Sequence, residues 1–240
     1  MNVKIIALTE PVSWLKEKGI KTAEDLLVYE ARVSNPANQL NNETADKLIA
    51  FMIHNKHWSP FDMINMTMEV TTSKAISIQI LRHWSIKPQE FSQRYAEVTD
   101  VEPIEFRLKA ESNRQSSTYV IGEINNEANE FGHLEFNVDA TTNIHELIDW
   151  LEDVSQNLQA TMALYKSGIK LGIAKESARF ILPMASSTTM YLNGSIRSWI
   201  HYMEQRCDIH AQVEHQQVAK VIMKHFIENF PYVSKALKLI

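Results

Sequence analysis

The sequence predicts a single α+β domain spanning residues 1–240. Three observations carry that expectation. Apolar and polar residues alternate with period two at residues 64–70, and apolar residues recur with helical period in several longer segments. Neither an internal repeat nor a linker-like stretch interrupts the chain. Composition agrees, because 45% hydrophobic and 22% charged residues match a globular chain and exclude a disordered one.

Taken in order, residues 3–8 form an apolar run followed by Glu10 and Pro11. A signal peptide would continue into a longer core and a small-residue cleavage site, so a first strand is expected. Residues 22–32 and 42–54 are expected as helices, with Leu48, Ile49, Met52 and Ile53 on one face of the second. Ile64, Met66, Met68 and Val70 alternate with Asn65, Thr67 and Glu69, the pattern of a half-buried strand. Ser73 then suits the N-cap of a helix through Ile76, Ile80 and His83, interrupted by Pro88. Residues 93–98 are expected to resume as a strand. Residues 99–142, polar and acidic, read as an irregular insertion or a hairpin. A long helix over 143–166 is expected to stop near Gly168, and a short helix over 175–182 at Pro183. A strand over 186–192 and helices over 195–206 and 211–230 complete the chain.

The overall charge of −5 hides an asymmetry. Residues 97–153 carry 14 acidic and three basic side chains, a net −11, and the remaining 21 basic and 15 acidic residues leave +6. The acidic segment reads as a solvated face. Elsewhere the arginines stand beside His, Gln and Ser rather than in lysine-rich runs, which favours small anionic ligands over a nucleic-acid polymer. A single cysteine, Cys207, excludes an internal disulfide and a multi-cysteine zinc site, and points to a reducing, cytoplasmic setting. No apolar run approaches the ~18 residues of a membrane span.

The densest polar cluster runs from Gln79 to Tyr95. On a helix, Gln79, Arg82 and His83 share a face; on an extended segment, so do Ser92 and Arg94. Guanidinium forks suit phosphate oxygens and an imidazole suits a ring. The same residues read equally as a surface ion-pair network with Glu90 and Glu97. A second cluster holds Ser195, Arg197, His201, Arg206, Cys207, His210 and Gln212, which also reads as the wet face of an amphipathic helix. Arg179, inside an apolar run, needs either a carboxylate or a ligand phosphate. His54, His57 and Asp62 match no familiar zinc spacing, and no metal is expected. Cys207 with His210 is a weak nucleophile–base pair, since a lone thiol is more often a packed hydrophobe. No glycine-rich phosphate loop is present.

Arg82-His83-Trp84, seven further residues, then Ser92-Gln93-Arg94-Tyr95 resembles the signature of the flavin-dependent thymidylate synthases, Arg-His-Arg-x7-Ser followed by Arg-Tyr. The resemblance extends through Ala31-Arg32-Val33-Ser34, His57-Trp58-Ser59-Pro60-Phe61, Ala178-Arg179-Phe180-Ile181-Leu182-Pro183 and the stretch from Arg197 to Gln212. Only residues of about 100–142 stay unmatched. The resemblance implies a homotetramer of α+β subunits, each with a central antiparallel sheet packed with helices, and FAD between neighbouring chains. It implies methylation of dUMP to dTMP, with methylenetetrahydrofolate as carbon donor and NADPH as reductant, and no cysteine nucleophile. By position, Gln79, Arg82, Glu90, Ser92, Arg94, Arg179 and Arg206 resemble the family's dUMP contacts. Arg206 is the catalytic candidate, stabilising charge on the uracil ring, and Ser92 an orienting hydroxyl. Ser59, Arg82, His83, Glu90, Ser195, Arg197 and His201 fall where the family binds FAD.

Three departures stand out: Trp84 in place of the second signature arginine, Ser195 where asparagine is common, and His201 where asparagine or histidine is usual. Trp84 is expected to stack on a flavin or folate ring. Another pyrimidine nucleotide such as dCMP, a hydroxymethyl product, or a non-catalytic nucleotide-binding relative are the competing readings. Trp199, Tyr202 and Met203 are candidates for a subunit contact.

Overall fold

The computed structural model describes residues 1–110, 117–127, 130–136 and 144–240. The mixed helix and sheet content agrees with the expected class. The chain forms two compact units. The first comprises Met1, Thr71–Gln79 and Glu90–Thr189, and the second Asn2–Val70, Ile80–Gln89 and Met190–Ile240.

Strands β1 (Asn2–Leu8), β2 (Asn65–Ser73), β7 (Ser187–Ser195) and β3 (Lys87–Glu90) form a four-stranded sheet in the order β1-β2-β7-β3. The alternation that predicts β2 is visible in its burial: Met66, Met68 and Val70 are fully buried and the intervening residues half-exposed. In the second unit, helices α1 (Ser13–Glu17), α2 (Ala23–Ala31) and α3 (Ala45–His54) precede β2, and α7 (Ile196–Arg206), α8 (Val213–Asn229) and α9 (Pro231–Ala236) follow β7. Thr22 and Asp25 start α2 with a capping box, in which each side chain takes the other's backbone N–H. Helix α3 begins at Ala45, three residues later than expected. Trp199, Tyr202 and Met203 are buried inside this unit, at 0%, 0% and 4% exposure, so they are core residues and not a subunit contact.

Helices α1 and α9 were not expected from periodicity, since each is only one to two turns long. Helix α9 has a remote cap. Glu24 on α2 is buried and accepts hydrogen bonds from the backbone N–H groups of Tyr232 (3.2 Å) and Val233 (2.8 Å). Burial pushes its carboxyl up to about 7, more than the two N–H groups and neighbouring Asp25 alter it. The folded state therefore keeps a proton that the unfolded chain releases, and stability falls as pH rises from about 5 to about 7. Glu24→Gln is expected to flatten that dependence of the urea midpoint; an unaltered slope would assign it to other groups.

The first unit contains α4 (Lys74–Leu81) up to Gln79, β4 (Ile104–Lys109), β5 (Ser117–Glu127), β6 (Glu130–Phe136), α5 (Ile144–Lys170) and α6 (Lys175–Ala178). Its core gathers Val98, Val101, Met162, Tyr165 and Ala178, and the Tyr165 hydroxyl accepts from the Val98 N–H at 3.2 Å. Strands β4, β5 and β6 make an antiparallel sheet with Ile104 opposite Ile124 and Ile124 opposite Leu134. The acidic segment thus forms hairpins, the ordered alternative of the two expected; residues 111–116, 128–129 and 137–143 lie outside the described ones.

Four expected boundaries need correction. Helix α4 stops at Leu81, so His83 lies beyond it. Residues 93–98 are not a strand, because Tyr95 and Ala96 both donate to the Ser92 carbonyl (3.0 and 3.1 Å) and close a turn. Helix α5 runs through Gly168, where an added Cβ would meet only ordinary contacts, and ends where Gly172 adopts φ +85°. The expected 175–182 helix shortens to α6, followed by a 3-10 turn over Arg179–Ile181. Among the described residues no helix is long and apolar enough to cross a membrane.

Candidate active site

The second unit holds a cavity of about 830 Å³, within the size range of small-molecule sites. Two local structures build its polar wall. One is the turn between α4 and β3, closed by the His83 N–H on the Ile80 carbonyl (2.9 Å) and the Ile86 N–H on the His83 carbonyl (3.0 Å). It brings Arg82, His83, Trp84 and Lys87 to the cavity. The other is α7, which contributes Arg197, His201 and Glu204 from one face and Arg206 from its C-terminal end, while Trp199, Tyr202 and Met203 anchor the opposite face in the core. At the junction of β7 and α7, a Cβ on Gly194 would stand 3.2 Å from Ile86 Cγ1, close enough that the Ile86 side chain would have to give by a few tenths of an ångström.

Ser195 caps α7, its hydroxyl accepting from the Ser198 N–H at 3.3 Å. The same hydroxyl donates to Asp62 Oδ1 (2.9 Å), and Arg197 Nη1 pairs with Asp62 Oδ2 (2.8 Å). Asp62 therefore organises two expected cofactor-binding residues. Local spacing cannot reveal this role, since its partners lie 133 and 135 positions away. Ser59 begins the 3-10 turn over Ser59–Asp62 and is exposed, but it does not line the cavity; Trp58 and Asp62 do.

His83 is 7% exposed, edge-on to the rings of His201 (5.3 Å) and Tyr202 (5.2 Å). Burial, then the nearby His201 and Arg206, push its pKa down to about 4, so the ring is neutral at pH 7. Its Nε2 and the Nε of Arg206 are buried without hydrogen-bond partners in the structure. Among the described residues Arg206 makes no ion pair. Unsatisfied donors and acceptors of this kind are completed by a bound ligand or by ordered water. Trp84 is 83% exposed, its backbone carbonyl accepting from Lys87 Nζ at 3.2 Å. A planar ring carrying anionic groups suits this wall, with cations at its edge and Trp84 and His201 as flat surfaces.

The other expected residues belong to the first unit. Gln79 is half-buried on α4. It does not share a helical face with Arg82 and His83, which lie past the helix end. Glu90 takes Lys74 Nζ on both carboxylate oxygens (2.8 Å each) and the Thr188 hydroxyl at 3.1 Å. Ser92 heads the turn that replaces the expected strand, its hydroxyl accepting from the Arg94 N–H at 3.4 Å. Arg94 Nη2 pairs with Glu176 Oε2 (3.2 Å), and Arg179 Nε donates to the Glu176 carbonyl (3.3 Å). Glu176 thus draws two candidate phosphate-binding arginines to one place. Lys74 and Glu176 were not singled out from sequence; Lys74 follows a cap residue and Glu176 follows a lysine, neither distinctive.

The burial that surrounds Cys207 pushes its thiol pKa up, which keeps it protonated at neutral pH. Among the described residues no cluster of three metal-ligating side chains occurs.

The profile of the family described as thymidylate synthase complementing protein matches residues 17–232. A probable flavin-dependent thymidylate synthase of Paramecium bursaria Chlorella virus 1 is 42% identical over 238 residues, covering 99% of each chain. A flavin-dependent thymidylate synthase of Synechocystis sp. is 38% identical over 239 residues, covering 99% of this chain and 100% of that one. Among solved structures, a UMP/dUMP methylase PolB from Streptomyces cacaoi, bound with 5-Br dUMP, shares the fold. Its TM-score is 0.70 at 19% identity, covering 100% of this chain and 95% of that one. With a family match over most of its length and two relatives near 40% identity, the chain belongs to the flavin-dependent thymidylate synthase family.

Proposed function

We propose that this chain is a flavin-dependent thymidylate synthase that methylates dUMP to dTMP, with methylenetetrahydrofolate as carbon donor and NADPH as reductant. The observation that carries the reading is the cavity wall of Arg82, His83, Arg197, His201 and Arg206, with two buried nitrogens left for a ligand, in a chain of this family. FAD fits that donor set: cations for its pyrophosphate and ring edge, imidazole and indole surfaces for its ring. Arg82, His83, Trp84, Arg197 and His201 would hold it, with Ser195 and Asp62 fixing the position of Arg197. Ser59 and Glu90 keep the FAD contacts that resemblance gives them. When bound, the flavin supplies the hydride that brings the transferred one-carbon unit to the methyl level.

The chain's own groups do the rest. Arg94 and Arg179 bind the dUMP phosphate in exchange for their contacts with Glu176, and Ser92, Gln79 and Glu90 orient the nucleotide. Arg206 is a fixed cation that stabilises negative charge on the uracil ring and so raises the nucleophilicity of C5. A protonated Cys207 fits a route without a thiolate adduct. The active form is a homotetramer with FAD between chains. Exposed Tyr95, Phe180, Ile181 and Met184 supply apolar surface for such contacts beside the phosphate-binding arginines.

Purified protein is expected to bind FAD and to bleach its visible absorbance when NADPH is added without oxygen. Failure to bind any flavin overturns the reading. Trp84→Arg is expected to weaken FAD or folate binding about five- to tenfold through loss of a stacking face. Equal affinities for both ligands in the variant would remove Trp84 from the site.

A further inference from the structure

Behind His83 lies a polar pair that the proposed chemistry does not use. Tyr202 and His215 are each 0% exposed, and the Tyr202 hydroxyl and His215 Nε2 share a hydrogen bond of 3.0 Å. Their rings stand 5.7 Å apart, and Tyr202 meets His83 edge-on at 5.2 Å with an interplanar angle of 87°. An apolar pair of similar size would fill this space with no polar group to desolvate. The polar pair therefore does something that packing alone does not require.

We propose that Tyr202 and His215 are positioning residues: their hydrogen bond locks the Tyr202 ring, and the locked ring fixes the orientation of His83 for a planar heteroaromatic ligand. The arrangement is a continuous one, from α8 through α7 to the turn at the cavity. His215 anchors Tyr202, Tyr202 packs its ring face or edge on His83, and His83 lines the cavity with Nε2 unpartnered. The pair is also uncharged. Burial pushes the Tyr202 hydroxyl pKa up and that of His215 down to about 4, so neither carries charge at pH 7. Arg206 adds to the lowering at His215 and opposes the rise at Tyr202, which places its cation near both. A neutral brace holds His83 without placing a further charge beside Arg206.

The identity of the ligand rests on the flavin reading; the positioning of His83 does not. Two readouts separate them. In the holoenzyme, Tyr202→Phe keeps the ring and deletes only the hydroxyl. It is expected to raise the FAD dissociation constant about tenfold, the size of one lost hydrogen bond, and to change the shape of the flavin absorbance band. The KM for dUMP is expected to stay within about twofold, because the change acts through the cofactor wall. His215→Gln, which can still accept from the hydroxyl, is expected to stay near wild type in both properties, and it guards against a variant that merely folds poorly. In protein without added flavin, the imidazole nitrogen signals of His83 are expected to broaden in Tyr202→Phe and to remain sharp in His215→Gln. If Tyr202→Phe keeps the wild-type flavin affinity, absorbance band and His83 signals, the positioning role is wrong. If wild-type protein binds no flavin at all, the functional reading fails, and the His83 signals still decide the role of the pair.

Discussion

Arg206→Ala is expected to keep FAD bound and to lower kcat for dTMP formation by about 10²–10³-fold, the range seen when a preorganised stabiliser of developing charge is removed. The expectation follows from position. Arg206 is the last residue of α7, lines the cavity and holds a buried Nε without a partner. Its charge acts on His83, Tyr202 and His215, all neutral at pH 7. A flavin titration by absorbance gives the binding, and product formation under saturating folate and dUMP gives kcat. Loss of both to the same degree would make Arg206 a structural cofactor contact. Full activity would remove it from the chemistry altogether.

Trp199→Ala is expected to destabilise the fold by about 3–5 kcal/mol, the loss typical of a fully buried aromatic side chain. Trp199 is 0% exposed, meets Tyr202 edge-on at 5.6 Å, and donates its Nε1–H to the Met66 carbonyl at 2.9 Å. Truncation opens a cavity under α7 and leaves that strand carbonyl without its donor. Trp199→Phe keeps most of the ring and loses the hydrogen bond, so it should fall between the two. Urea unfolding at fixed protein concentration measures both. A shift below about 1 kcal/mol for the alanine variant would mean that α7 is held by something other than this anchor.

Local signals were legible in the sequence. The alternation at Ile64 to Val70 located β2, and the expected helix over 195–206 matches α7 to within one residue. Motif order likewise picked Arg82, His83, Trp84, Ser195, Arg197, His201 and Arg206, and the structure brings these seven into one cavity. What escaped was set by distant partners or by turns. Periodicity continues past Leu81, whereas the backbone turns at His83 and Ile86. Ser92 and Arg94 alternate like a strand, yet the Ser92 carbonyl closes a turn. Asp62, Glu176 and the Glu24 cap of α9 act on residues far along the chain, and no periodicity carries such pairings. The buried Tyr202–His215 pair was hidden for the same reason: an aromatic and a histidine 13 residues apart look ordinary until two helices bring them together.

The central claim is that the arginine-lined site directs a one-carbon unit onto the uracil ring of dUMP. It is tested most directly by incubating the protein with FAD, NADPH and methylenetetrahydrofolate, with dUMP or dCMP in parallel, and identifying the nucleotide by mass. The account predicts dTMP from dUMP and no change in dCMP. A hydroxymethylated nucleotide, or a product from dCMP alone, would contradict it.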